Sequence, residues 1–160
     1  MTAAERHEAL RAVPLLRDFS EVGLRILAEV AQARSVGRGA YAFRAGEPSN
    51  ALAFVARGTL QLMGREGGAP LGEISAGDTL GGLTLLAAGE HLISALASTD
   101  VQLLQLSRSA FEELQRARPR TALKLTLALA RDLTERLQDA RAPLREFLVW
   151  QISKRQSEPR

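Results

Sequence analysis

At 160 residues, with no cysteine and few aromatic side chains, the chain is expected to fold as one domain around a Leu, Ala and Val core. The absence of cysteine excludes a disulfide framework, a thiolate metal site and a cysteine nucleophile, and the two histidines, His7 and His91, lack metal-ligand spacing. The formal charge of +3 is too mild to call for nucleic acid, the charged start MTAAERHEAL lacks a signal-peptide core, and no apolar run approaches the length of a bilayer span, so a cytoplasmic protein is expected.

Residues 3–12 read as a short helix of mixed charge, broken by Val13-Pro14-Leu15-Leu16. A second helix is predicted over Glu21 to Ala33. Ser20 is its N-cap, Phe19 and Leu24 have the spacing of a hydrophobic staple, and Leu24, Leu27, Ala28 and Ala31 share one face. This opening reads as two packed helices without chemistry.

From Arg34 the period changes to two. Short alternating runs occur at Tyr41 to Phe43, Leu52 to Ala56, Thr59 to Met63, Leu71 to Ile74, Leu92 to Ala97 and Val101 to Leu106, separated by glycines. Closely spaced short strands closed by turn residues predict an antiparallel sandwich or barrel. Ala56-Arg57-Gly58-Thr59 reads as a hairpin turn and Arg65 to Pro70 as a longer hairpin loop.

Within the roll, Ser75 to Thr99 is the most informative stretch. A glycine turn, Gly77-Asp78, is followed by the pair Gly81-Gly82 at the mouth of the apolar run Leu83 to Leu86, then by a strand. Glycine allows close backbone approach to a ligand, and a helix start offers unpaired N–H donors, so the segment can face an anion. The same spacing also describes a plain turn between two strands.

After Leu106 the pattern is helical. Ser109 and Glu112 have capping-box spacing, Phe111 and Leu114 give an apolar side, and Pro119 ends that helix. A long helix over about Arg120 to Ala140 carries two apolar stripes. One holds Leu123, Leu127, Ala130 and Leu137; the other holds Leu125, Leu129 and Leu133. A surface helix needs one stripe. Either one packs on the domain while the other meets a partner, or both form one wide core face. Arg116, Arg118, Arg120 and Lys124 form a basic cluster that reads as a solvated face, with an anionic partner as the alternative. Beyond Pro143, Leu144, Phe147, Leu148 and Trp150 continue as a short amphipathic helix before a polar tail, so residues 1–142 are expected to form the domain and 143–160 an appendage.

Two helices, an eight-stranded roll with glycines at its turns, a short inserted helix and a long helix resemble the cyclic nucleotide-binding domain of the bacterial catabolite activator and the protein kinase A regulatory subunits. The resemblance covers about residues 10–140. It rests on Val13-Pro14-Leu15-Leu16, Gly46-Glu47, Gly58, Gly77-Asp78, Leu80-Gly81 and Thr99-Asp100-Val101 leading to Leu106-Ser107-Arg108-Ser109-Ala110-Phe111. It implies an α+β fold: a jelly-roll-like antiparallel β-roll of about eight strands between N-terminal helices and a long C-terminal helix. It also implies a ligand site at Gly81, Gly82, Leu83, His91, Leu92 and Ser94, with a cyclic nucleotide as ligand.

The sequence departs from that pattern. The family's ribose-binding Glu position holds Gly82, and its phosphate-binding Arg position holds His91; Ser94 keeps the hydroxyl of the family's Thr. Arginine is always charged and grips phosphate bidentately, whereas an ordinary histidine is mostly neutral at pH 7. Losing both charge-assisted contacts costs about 3–6 kcal/mol, which predicts weak or absent cyclic AMP binding. No recognisable nucleophile set, carboxylate pair or Walker loop supports an enzyme, and the sequence calls for no cofactor. The residues after Ala140 are too few for the helix-turn-helix of the catabolite-activator branch, which argues against DNA. Two readings follow: a ligand sensor signalling through its long helix, and a ligand-independent module that homodimerises through Leu123, Leu127, Ala130 and Leu137 or binds a protein partner.

Overall fold

The computed structural model describes residues 1–64, 69–87 and 89–139. Its elements run α1 (Ala3–Arg11), a 3-10 turn (Pro14–Leu16), α2 (Glu21–Val30), β1 (Gln32–Val36), β2 (Tyr41–Phe43), β3 (Pro48–Ser49), β4 (Ala51–Arg57), β5 (Thr59–Met63), β6 (Gly72–Ser75), β7 (Thr79–Leu80), α3 (Gly82–Leu86), β8 (Gly89–Glu90), β9 (Ser94–Ala97), β10 (Val101–Ser107), α4 (Arg108–Ala117) and α5 (Pro119–Asp139). Two four-stranded antiparallel sheets, ordered β1-β10-β4-β7 and β2-β9-β5-β6, form the expected roll, and β3-β8 adds a small ribbon.

The β1-β10-β4-β7 sheet is apolar on both faces. Outward, Leu52, Phe54, Leu104 and Leu106 meet the helices through Leu10, Leu24, Leu27, Phe111, Leu114, Ala122, Leu125 and Leu129. Inward, Val36, Val55, Val101 and Leu103 meet Ala42, Phe43, Leu60, Ala95 and Ala97 of the other sheet. Each fully buried Leu or Phe here contributes about 1.5–3 kcal/mol. The helices therefore sit on one wall of the roll, and its interior lies between the two sheets.

Several local expectations hold. The Ser20 hydroxyl accepts from Gly23 N at 3.2 Å, capping α2. At the Gly77-Asp78 turn, Asp78 N donates to Ser75 O at 3.0 Å and Ser75 N to the Asp78 carboxylate at 2.8 Å. β5 and β6 form a hairpin in which Leu62 pairs with Gly72; residues 65–68 of its loop lie outside the described residues.

Others are corrected. α2 stops at Val30, Ala31 is its C-cap, and the five residues Gln32–Val36 form β1 along the sheet edge. Four of them are exposed, so no apolar alternation marked the strand. The cap of α4 is Ser107, whose hydroxyl accepts from Ala110 N at 3.1 Å; Ser109 lies inside the helix. Pro119 opens α5, where its missing N–H and fixed φ suit a first helical position. Gly58 is not a hairpin turn, because β4 and β5 belong to different sheets. The chain instead turns a corner there with φ +87°, and a Cβ would lie 2.3 Å from the Asp100 carbonyl oxygen. The appendage predicted at 143–160 lies outside the described residues.

Gly58→Ala is expected to destabilise the fold by about 2–4 kcal/mol, combining positive-φ strain with a backbone clash. Gly37→Ala, whose Cβ meets no atom within 4 Å, should stay within about 0.5 kcal/mol of the parent. Urea unfolding of the two variants checks this; equal effects would overturn the steric account.

Candidate ligand-binding cleft

The segment from β7 into α3 is fixed by close backbone contact. Gly81 has φ +76°, and a Cβ there would lie 2.3 Å from the Ala51 carbonyl oxygen, so only glycine fits beside β4. The Thr84 hydroxyl donates to Gly81 O at 2.9 Å and meets the hydroxyl of the buried Ser49 at 2.6 Å. The Arg108 guanidinium donates to Thr84 O in the middle of α3. These bonds tie α3 to β3 and to the start of α4.

Gly82 faces α5. A Cβ on it would lie 2.8 Å from Cδ2 of Leu129, a buried side chain. Gly81 and Gly82, together with Leu129, Leu133, Asp132 and Arg136, line a groove of ≈ 210 Å³ between this segment and α5. A glutamate at position 82 would thus begin against the packed helix.

His91 lies elsewhere, at a cleft of ≈ 320 Å³. Its ring stacks on Phe43, with centroids 4.0 Å apart and planes 11° from parallel. Its backbone is fixed on both sides: Gly46 N donates to His91 O at 2.8 Å, and His91 N to Glu47 O at 2.9 Å. Burial of the ring pushes the imidazole pKa below 6.5, and the nearby Glu47 charge only partly opposes this. At pH 7 the ring is therefore a neutral donor and brings no positive charge to an anion.

The other wall of this cleft is the inner face of the β1-β10-β4-β7 sheet. Gln32, Gln105, Ala53 and Leu80 stand in one cross-strand row on that face, and all four line the cleft. Arg34 lines it as well. Sequence reasoning missed Gln32, Arg34, Phe43, Glu47 and Gln105. Recognising β1 as a strand would have exposed the pattern, because Gln32 and Arg34 then alternate with outward residues.

The residues expected to form one site are divided. His91 lines the inter-sheet cleft. Gly81 and Gly82 line the groove under α5, and Leu80 borders both cavities. The Ser94 hydroxyl accepts from Ala45 N at 2.9 Å and so holds the turn after β2. Leu92 is 86 % exposed and borders neither cavity. Leu83 belongs to α3, and its side chain lies outside the described residues.

The two stripes of α5 separate cleanly. Ala122, Leu125 and Leu129 are buried against the domain, and Leu133 is half-buried. Leu123 and Leu127 are 60 % and 57 % exposed, and Ala130 and Leu137 are also exposed. Ion pairs from Arg131 to Asp18 at 2.7 Å and from Arg17 to Glu135 at 3.7 Å join α5 to the N-terminal segment. Both are exposed and contribute little individually. Among the described residues, no helix is long and apolar enough to cross a membrane.

Comparison with known proteins gives consistent results. Residues 33–118 match the family model for the cyclic nucleotide-binding domain. An uncharacterized NTE family protein of Mycobacterium tuberculosis is 28 % identical over 127 residues, 79 % of this chain, which spans only 22 % of that relative. The N-terminal domain of a transcriptional regulator from Streptomyces coelicolor superimposes with a TM-score of 0.73 at 25 % identity, covering 83 % of this chain and 97 % of that one. A cyclic nucleotide-binding domain from Methylobacillus flagellatus gives the same TM-score at 23 % identity, covering 86 % and 79 %.

The Gly82–Leu129 contact predicts strong coupling. Gly82→Ala is expected to cost about 1–2 kcal/mol in the parent and measurably less in a Leu129→Ala background, with a non-additivity above about 0.5 kcal/mol. A double-mutant cycle by chemical denaturation measures it, and strict additivity would contradict the packing described.

Proposed function

Because the chain belongs to the cyclic nucleotide-binding domain family, we propose that it is a non-enzymatic regulatory domain. It binds a small anionic molecule in the inter-sheet cleft and reports occupancy through α5. The observation that carries this reading is the cleft itself. A roll whose interior is otherwise apolar keeps a polar cavity of ≈ 320 Å³ at one end, within the size range of small-molecule sites. Such a domain calls for no metal or bound cofactor.

Affinity for cyclic AMP is low in this reading. The ribose acceptor is replaced by Gly82, whose side-chain space is taken by Leu129. The phosphate cation is replaced by His91, which burial keeps neutral. Differential affinity is what shifts a regulatory equilibrium, so a weak ligand would act only where it is abundant. The Gly81–Gly82 turn faces the groove under α5 and the Ser94 hydroxyl holds Ala45 N, so neither belongs to the cleft in this reading.

The exposed stripe favours a second element of function, homodimerisation. Leu123, Leu127, Ala130 and Leu137 form an apolar face on a helix whose opposite side already packs on the domain. Pairing two copies through this face would bury it and join two sensors. A ligand-independent dimerisation or protein-interaction module is the same arrangement with the cleft silent, and the Gly82–Leu129 packing favours it. DNA binding has no support in the described residues.

Two measurements test these points. Thermal unfolding with about 1 mM cyclic AMP should raise Tm by no more than about 2 °C, against about 10 °C for a micromolar site. A shift near the larger figure would overturn the weakened-site reading. Light scattering should find a dimer that Leu127→Glu converts to a monomer, and a monomeric parent would overturn dimerisation.

A further inference from the structure

Within the proposed ligand reading, on which this inference rests, we propose that Arg34 holds the ligand's anionic group, so that the cation comes from the sheet wall and not from the segment around His91. The register carries the argument. Arg34 on β1 pairs with Leu103 on β10, and Leu103 pairs with Val55 on β4. Leu103 and Val55 are fully buried inward residues. Arg34 also lies two residues from Val36, which belongs to the same inner cluster. By the two-residue period of a strand, Arg34 stands on the inner face of the sheet. The residue is exposed at the edge of the sheet, and it lines the cleft from that edge.

Its neighbours add the rest of a binding site. Gln32 precedes it on the same face, and Gln105 pairs directly with Gln32. Among the described residues, the side chains of Gln32, Arg34 and Gln105 make no hydrogen bond or ion pair with one another or with any other group. On the outer face of the same strands, by contrast, Ser35 and Gln102 bond to each other at 2.9–3.1 Å. Among the described residues lining the cleft, Arg34 is the only arginine or lysine. Among those described residues Glu47 is the one carboxylate, and it already accepts from Arg44 N at 2.8 Å. The apolar part of the cleft is formed by Ala51, Ala53, Phe43 and Leu80.

This set specifies a class of ligand: an organic anion with two coplanar oxygens for the guanidinium fork and an apolar or planar body for the rest of the cleft. A phosphodiester and a carboxylate share that chemistry. The two glutamine amides supply further donors beside the fork, and the stacked Phe43–His91 pair presents a flat wall to the body.

The test is an NMR titration of the full chain with three probes: cyclic AMP as the phosphodiester, indole-3-acetate as the carboxylate, and adenosine as the neutral control. The parent should bind at least one anion and bind adenosine distinctly less well. Arg34→Gln should weaken the anion about ten- to a hundredfold, with Arg34→Lys intermediate. His91→Gln should change affinity by less than about threefold, because the ring brings no charge. Arg34 sits on an exposed edge strand, so both of its variants should fold; unchanged unfolding curves verify this. If Arg34→Gln binds like the parent while His91→Gln loses binding, the inference fails and the ligand-sensor reading stands. Equal binding of adenosine also overturns the inference. If the parent binds none of the probes, both the inference and the ligand-sensor reading fall.

Discussion

The pairing of β4 with β10 is the interaction on which the molecule depends. Both strands are buried on both faces, so their ladder is the shared wall of two cores. A cavity on either side is felt on the other through a backbone that interdigitated packing holds rigid. The arrangement also fixes the cleft. Its sheet wall is the continuation of the same ladder, beyond the point where inward residues change from Val55 and Leu103 to Ala53 and Gln105. Apolar packing ends there and polar lining begins within one two-residue step.

Steric facts at two adjacent glycines shape the other cavity. Gly81 is required by backbone, whereas Gly82 is required by a side chain of α5. The first constraint is rigid; the second is an exchange between packing and chemistry. An acid at position 82 and a close α5 compete for one volume, and this chain has the close helix. Since α5 also carries the exposed leucine stripe, Gly82 lies directly under the element proposed to pair with another copy.

The fold was largely legible in the sequence because it is written in period and punctuation. Alternation marked β4, β5 and β10, and the resemblance supplied their order. β1 was not legible: it is a sheet edge with Gln32, Ala33, Arg34 and Ser35 all exposed, and the element just before it in sequence is helical. The two leucine stripes of α5 were visible, yet which of them packed inward required the structure. The site was half legible. His91 does border a cleft, but the glycines thought to accompany it lie against another cavity, since proximity in sequence across a short helix does not decide which side of a sheet each end faces. The error at Gly58 has a similar origin: a glycine between two strands looks the same whether the strands pair or part.

The junction of β10 with α4 has a mechanical consequence. Ser107 is both the last residue of the strand and the cap of the helix, and Arg108 follows at once, its N–H donating to Asn50 O at 2.8 Å and its guanidinium to Thr84 O. No intervening residue can absorb a rotation. A tilt of α3 therefore pulls on the Arg108 side chain while the Arg108 backbone is anchored to the chain just before β4, and α4 can follow only by prising open the end of the central ladder. This corner behaves as a stiff bracket with no hinge, so any swing available to α5 relative to the roll must originate at the next joint along the chain, between Ala117 and Pro119.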